Sequence, residues 1–278
     1  MKNYLLVWGL MLLVSPLFSQ TYTREEVNRS IEEDERFSIH EDNYIITGIP
    51  TNETVNSSTA DVKYQISFKQ LLSRNPIVWD SYLYLTYTQK AFWNFYEFSS
   101  PFEELNFNPT VGLSKVVYNK NDEAKGIASV MLNHESNGRD SIYSRSWNSI
   151  NFKYSMALSR KSILSLEVWA PFIYKESNPD LMEYIGISEV SFAYDIVPEK
   201  LNFDIAVKKG VNWNNWNGSV RSRLYYNPFK SKNQYFMLEW FAGYGESLID
   251  YEVFYSMVRL GFVIKTNELE FLKFRESE

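Results

Sequence analysis

The stretch that decides the fold is Gly126-Ile127-Ala128-Ser129-Val130-Met131-Leu132-Asn133-His134-Glu135-Ser136-Asn137-Gly138, with its neighbour Arg145-Ser146-Trp147-Asn148-Ser149-Ile150-Asn151-Phe152-Lys153-Tyr154-Ser155-Met156-Ala157-Leu158. Side chains of a strand alternate between its two faces. Even positions of the first segment give Ala128, Val130, Leu132, His134 and Ser136, and odd positions give Ser129, Met131, Asn133 and Glu135. The second segment alternates likewise, with Asn148, Ile150, Phe152, Tyr154, Met156 and Leu158 against Ser149, Asn151, Lys153 and Ser155. Two strands of a hairpin therefore carry a hydroxyl, an imidazole and an amide on their apolar face.

Composition indicates what that apolar face meets. The chain of 278 residues has 20 Tyr, 19 Phe and 8 Trp, yet its mean hydropathy is only −0.33. A membrane β-barrel needs lipid-facing aromatics, interfacial girdles and a polar lumen together, which reconciles these values. A net charge of −6 argues against nucleic acid as a partner. The absence of cysteine excludes disulfides and thiolate metal sites.

The N-terminus has the layout of a cleaved secretory signal peptide over residues 1–20. Lys2 precedes an apolar run from Leu5 to Leu17, and Ser19-Gln20 follows. A short membrane anchor is the alternative, although the run falls below the ~20 residues of a spanning helix. An exported chain without a spanning helix enters a bilayer as a closed barrel.

Alternating segments recur downstream near 61–74, 78–93, 107–119, 161–170, 183–195, 201–207, 218–228, 234–245 and 251–265. With the opening pair they make eleven candidates, and twelve is the nearest even number. Turn-forming stretches lie between them at Asn119 to Asp122, Asn178-Pro179-Asp180, Pro198-Glu199-Lys200, Asn227-Pro228 and Lys230 to Asn233. The expected fold is all-β, a transmembrane antiparallel barrel over 61–267. A polar, extended or partly disordered periplasmic arm over 21–60 precedes it, and a tail over 268–278 follows.

Within the opening pair, His134 and Ser136 share a face two residues apart. A register opposing His134 to Asn148 sets Ser136 against Ser146. The imidazole could then take a proton from Ser136 while the Asn148 amide holds its tautomer. His40, in the polar arm, is the other histidine of the chain. Polar groups on a lipid face are costly and point to function. Gln89 poses the same question on a strand whose Leu83, Leu85 and Tyr87 share its side.

Asn133-His134-Glu135-Ser136-Asn137-Gly138-Arg139 followed by Ser144-Arg145-Ser146-Trp147-Asn148 resembles the signature of outer membrane phospholipase A, a twelve-stranded barrel lipase family of Gram-negative outer membranes. Tyr87-Thr88-Gln89-Lys90, Ser99-Ser100-Pro101-Phe102, Asn178-Pro179-Asp180 and Gly243 to Tyr251 fit the same family in order. The resemblance implies hydrolysis of acyl esters of phospholipids and lysophospholipids, at either acyl position. Ser136 would be the nucleophile, His134 the base and then acid, and Asn148 the residue orienting His134. The Gly138 backbone amide would contribute to the oxyanion hole.

The resemblance further implies calcium close to the site of an active homodimer. Arg139 would offer its carbonyl, Ser144 its oxygens and Ser99 of the partner subunit another. Gln89 would meet the second subunit. Two departures stand out. The family has an acidic residue directly before Asn-Pro-Asp, whereas here Ser177 holds that position and Glu176, one earlier, is the expected substitute. Barrel chains of this kind end on an aromatic, whereas this one runs on past Phe271 and Phe274 to Glu278. A passive porin-like barrel, or a family member with a degenerate site, is the competing expectation.

Overall fold

The computed structural model describes residues 22–273 apart from Asp34 and Lys230. The segment 1–20, expected to be a signal peptide, and the last five residues of the expected tail lie outside the described residues.

Twelve strands close into an antiparallel barrel. They are β2 (Asn43–Pro50), β3 (Asp61–Leu71), β4 (Tyr82–Trp93), β5 (Phe102–Tyr118), β6 (Ala124–Ser136), β7 (Ser146–Ser159), β8 (Ser162–Phe172), β9 (Ser188–Val197), β10 (Leu201–Lys209), β11 (Gly218–Tyr226), β12 (Gln234–Gly243) and β13 (Tyr255–Ile264). Each pairs with its neighbour in sequence, and β13 pairs with β2 to shut the ring. The expected strand number is borne out. A short β1 (Phe37–Ile39) lies against the far half of β3, and β2 covers the near half. Because β4 occupies the other edge of β3, β1 and β2 act as one strand broken at residues 40–42.

The barrel thus begins at Asn43 rather than at 61, which corrects the expected arm. In β2, Tyr44 and Ile46 are buried while Ile45 and Ile49 are exposed. Both faces carry apolar groups, so the period-2 contrast that marked the other strands is weak here. Upstream, α1 (Arg24–Glu33) is helical and is tied down by Arg24, which pairs with Asp122 at 3.1 Å, and by the buried Val27. The strand expected over 183–195 is also shorter. Its first residues form α2 (Leu181–Ile185), which ends at Gly186 with φ of +69°, before β9 starts.

Alternation sends apolar side chains outward and polar ones inward, the reverse of a soluble protein. Leu132 and Leu260 are 51% and 56% exposed, whereas Glu239 and Ser149 are fully buried. An outward apolar belt fits a hydrocarbon bath. Inside, Glu239 accepts from Lys63 at 2.9 Å and from Arg223 at 2.8 Å. Arg259 meets Asp61 at 2.7 Å and Glu246 at 2.6 Å. These pairs line the lumen and compensate charges that would be costly alone.

The two ends differ. One carries both ends of the described residues and the turns at 72–81, 119–123, 160–161, 198–200 and 227–233. There Glu268, early in the expected tail, bonds Lys69 at 2.9 Å and lies 3.3 Å from His40. Burial alone would raise its carboxyl, but His40 and Lys69 hold it well below the usual carboxylate range. Leu272 is buried beside it in sequence, so this part of the tail folds back onto the barrel. The opposite end carries the loops 51–60, 94–101, 137–145, 173–187, 210–217 and 244–254. Its mouth is filled by a cluster of Leu181, Met182, Ile185, Leu248, Tyr251, Trp147 and Trp169.

Candidate active site

The site sits on the outer wall, near the loop-bearing end. β6 and β7 pair so that His134 opposes Asn148 and Ser136 opposes Ser146. His134 Nδ1 lies 2.9 Å from Asn148 Oδ1. An amide oxygen can only accept, so this contact places the ring proton on Nδ1 and leaves Nε2 as the basic nitrogen. His134, Ser136 and Asn148 are all half-buried, while Asn133 and Ser149, one position away on the same strands, are buried in the lumen. Alternation therefore puts the three residues on the lipid side, as the sequence pattern suggests.

The same face continues sideways. Ser136 opposes Phe107 on β5, Phe107 opposes Gln89 on β4, and Gln89 opposes Ile66 on β3. Gln89 is thus two strands from Ser136 in one transverse row, and its Oε1 accepts from Tyr87 Oη at 3.0 Å.

Loop 137–145 is organised by a residue that side-chain alternation passes over. Asn137, buried, donates from Nδ2 to the Tyr143 carbonyl at 2.9 Å, and its Oδ1 accepts from the N–H of Arg139 at 3.3 Å and of Arg145 at 2.9 Å. Its place inside the Asn-Gly pair is the available signal, since asparagine side chains readily bond nearby backbone. Gly138 follows with φ of +66°. A Cβ there would come 2.9 Å from the Phe107 ring, so the position demands glycine on two counts.

The residues assigned to calcium are spread over three loops. Arg139 sends its guanidinium to the buried Glu104 at 3.2 Å and to the Glu103 carbonyl. Ser144 is half-buried, and its carbonyl accepts from Arg145 Nη1 at 3.0 Å. Ser99 is exposed on loop 94–101 with φ of +67°. Glu176 is exposed, whereas Ser177 is the residue that reaches β7: its Oγ accepts from the Ser146 N–H at 3.2 Å. Asn178 Oδ1 accepts from the same N–H at 3.2 Å. Among the described residues, no group of three or more His, Cys, Asp and Glu is placed to hold a metal ion.

Known proteins match both the sequence and this architecture. The family described as phospholipase A1 matches residues 21–264. Phospholipase A1 of Escherichia coli K12 is 31% identical over 217 residues, which is 77% of this chain and 72% of that protein. The calcium-bound dimer of outer membrane phospholipase from Salmonella typhi superposes with a TM-score of 0.74 at 25% identity, over 88% of this chain and 99% of that one. Outer membrane phospholipase A of Escherichia coli gives 0.72 at 25% identity, over 82% and 94%. A barrel of the same strand number, with a family match across nearly its whole described length, leaves one assignment: the chain belongs to the phospholipase A1 family.

Proposed function

We propose that this chain is a calcium-dependent phospholipase of the outer membrane, which hydrolyses acyl esters of phospholipids and lysophospholipids at either acyl position and acts as a homodimer. The observation that carries the reading is the His134–Asn148 contact of 2.9 Å on a lipid-facing wall. A buried structural histidine would face the lumen, where the polar network could satisfy it. This one faces the bath from which a lipid ester arrives.

In the proposed reaction Ser136 Oγ attacks the ester carbonyl as His134 Nε2 takes its proton. Asn148 holds the imidazole by its other nitrogen. The Gly138 N–H stabilises the developing oxyanion. Collapse releases the lysophospholipid, with His134 returning the proton to the leaving oxygen. Water activated by His134 then frees the fatty acid from Ser136. Asn148 is neutral and cannot offset the imidazolium charge as a carboxylate would, but it avoids an unpaired carboxylate next to hydrocarbon.

The donors near the site suit a hard cation. The Arg139 carbonyl and Ser144 are neutral oxygens of the kind that calcium takes. Bound calcium would polarise the ester carbonyl. Ser99 of the partner subunit would complete the ligand set, and Gln89, in the row of Ser136, would lie against that subunit. The dimer of the Salmonella typhi relative, with its bound calcium, supports this reading.

Fatty-acid release from phospholipid in detergent micelles, with calcium or with chelator, tests it. Wild type should release fatty acid only with calcium, and Ser136→Ala should lose on the order of a thousandfold or more in rate. Equal rates in the two proteins would remove Ser136 from the reaction. Release indifferent to chelator would remove the metal.

A further inference from the structure

The ladder between β5 and β6 has a gap directly behind the candidate base. It runs from Tyr118 and Ala124 at one end, past a shift beside Val117, up to Thr110 and Asn133, and resumes with Phe107 opposite Ser136. The two positions between are not paired, and the register sets Pro109 opposite His134. Proline has no N–H and cannot donate to a ladder. The His134 carbonyl is nevertheless satisfied, because Asn108 Nδ2 donates to it at 2.9 Å. A β5 side chain reaching that carbonyl shows that it faces β5, the direction from which a backbone donor at 109 would come.

Asn108 is itself held. The same nitrogen lies 2.8 Å from Asn133 Oδ1, which also accepts from Thr110 Oγ1 at 3.1 Å. Asn133 continues to Ser149 at 3.4 Å, and Ser149 to Asn151 at 2.5 Å. The lumen network thus reaches through the wall to the peptide plane between His134 and Glu135. Rotation of that plane would tilt the imidazole and shift Ser136, two residues on, in opposite senses.

We propose that Asn108 is a positioning residue for His134: its side-chain amide replaces the ladder hydrogen bond that Pro109 withholds, and thereby fixes the imidazole relative to Ser136. The inference rests on the hydrolytic reading above for its kinetic consequence, though not for the bond itself. It predicts a chemical rescue. Asn108→Ala leaves the carbonyl without a donor, and adding Pro109→Val returns a backbone N–H opposite it.

The chain has two histidines, so labelling with carbonyl-13C histidine gives two carbonyl resonances in micelles, assigned through His40→Gln. In Asn108→Ala the His134 resonance should move upfield while that of His40 stays. Its kcat should fall by about tenfold to a hundredfold, as for a displaced catalytic group, with KM unchanged. Asn108→Asp, which keeps the shape and loses the donor, should behave alike and serves if the alanine variant does not fold. Asn108→Ala with Pro109→Val should restore both the resonance and kcat. An unmoved resonance in both single variants would overturn the proposal, and so would a resonance restored without recovery of kcat. If wild type releases no fatty acid at all, the hydrolytic reading fails, while the resonance and its recovery still decide whether Asn108 holds His134.

Discussion

At residue scale, Gly138 is constrained by both its backbone and its neighbour. Its positive φ acts together with the Phe107 ring, which stands 2.9 Å from where a Cβ would sit. Gly138→Ala should displace the loop amide and reduce fatty-acid release by roughly a hundredfold or more, the scale of losing one oxyanion donor. The cost in folding stability should be only about 1 kcal/mol. Phe107→Leu introduced alongside should recover part of the activity if the ring is the obstacle, and rate and melting temperature measured together separate the two effects. Ser136, His134 and Asn148 could be read from alternation because each side chain shares a face with apolar neighbours. Asn108 and Asn137 could not, since their work is on backbone groups, which the side-chain pattern does not record. Pro109 inside a strand was the one visible clue that a carbonyl opposite needed another donor.

At the scale of elements, eleven strands were legible because a membrane wall enforces contrast between neighbouring positions. β2 escaped because Tyr44 and Ile46 pack inward against Tyr225, Tyr235, Met237 and Val263, so its lumen side is apolar too. α2 was hidden inside an apolar run that suits a strand equally well. The distinction has a mechanical consequence. Removing residues 22–36 deletes α1 with its Arg24–Asp122 pair and should leave a folded barrel. Removing residues 22–50 takes away the partner of both β13 and β3 and should prevent closure. Heat-modifiable mobility on a denaturing gel reads out both outcomes, and a folded barrel without β2 would contradict the topology.

At the scale of the molecule, rigidity comes from the lumen. Glu239 is fully buried between Lys63 and Arg223, with Arg259 at 3.8 Å. Glu239→Leu would leave Arg223 with Asp42 at 3.8 Å and Lys63 with Glu246 at 2.9 Å in place of two close carboxylate contacts, and breaking a buried pair costs up to about 3–5 kcal/mol. Thermal unfolding in micelles should show a clearly lower melting temperature, while Glu239→Gln, which keeps an acceptor, should lose less. An unchanged melting temperature for the leucine variant would mean that the network is dispensable.

The outward row of His134, Ser136 and Asn148 also sets the dimensionality of the encounter in the proposed reaction. Asn133 and Ser149 take the lumen side of the same two strands, so the three residues meet what lies outside the wall. On the proposed reading a substrate arrives by lateral diffusion within the leaflet, so the quantity governing its supply is mole fraction in the surface rather than molarity in the surrounding water. Diluting phospholipid with inert amphiphile therefore starves the site even when the amount of lipid per volume is constant, and the membrane itself becomes the reaction vessel.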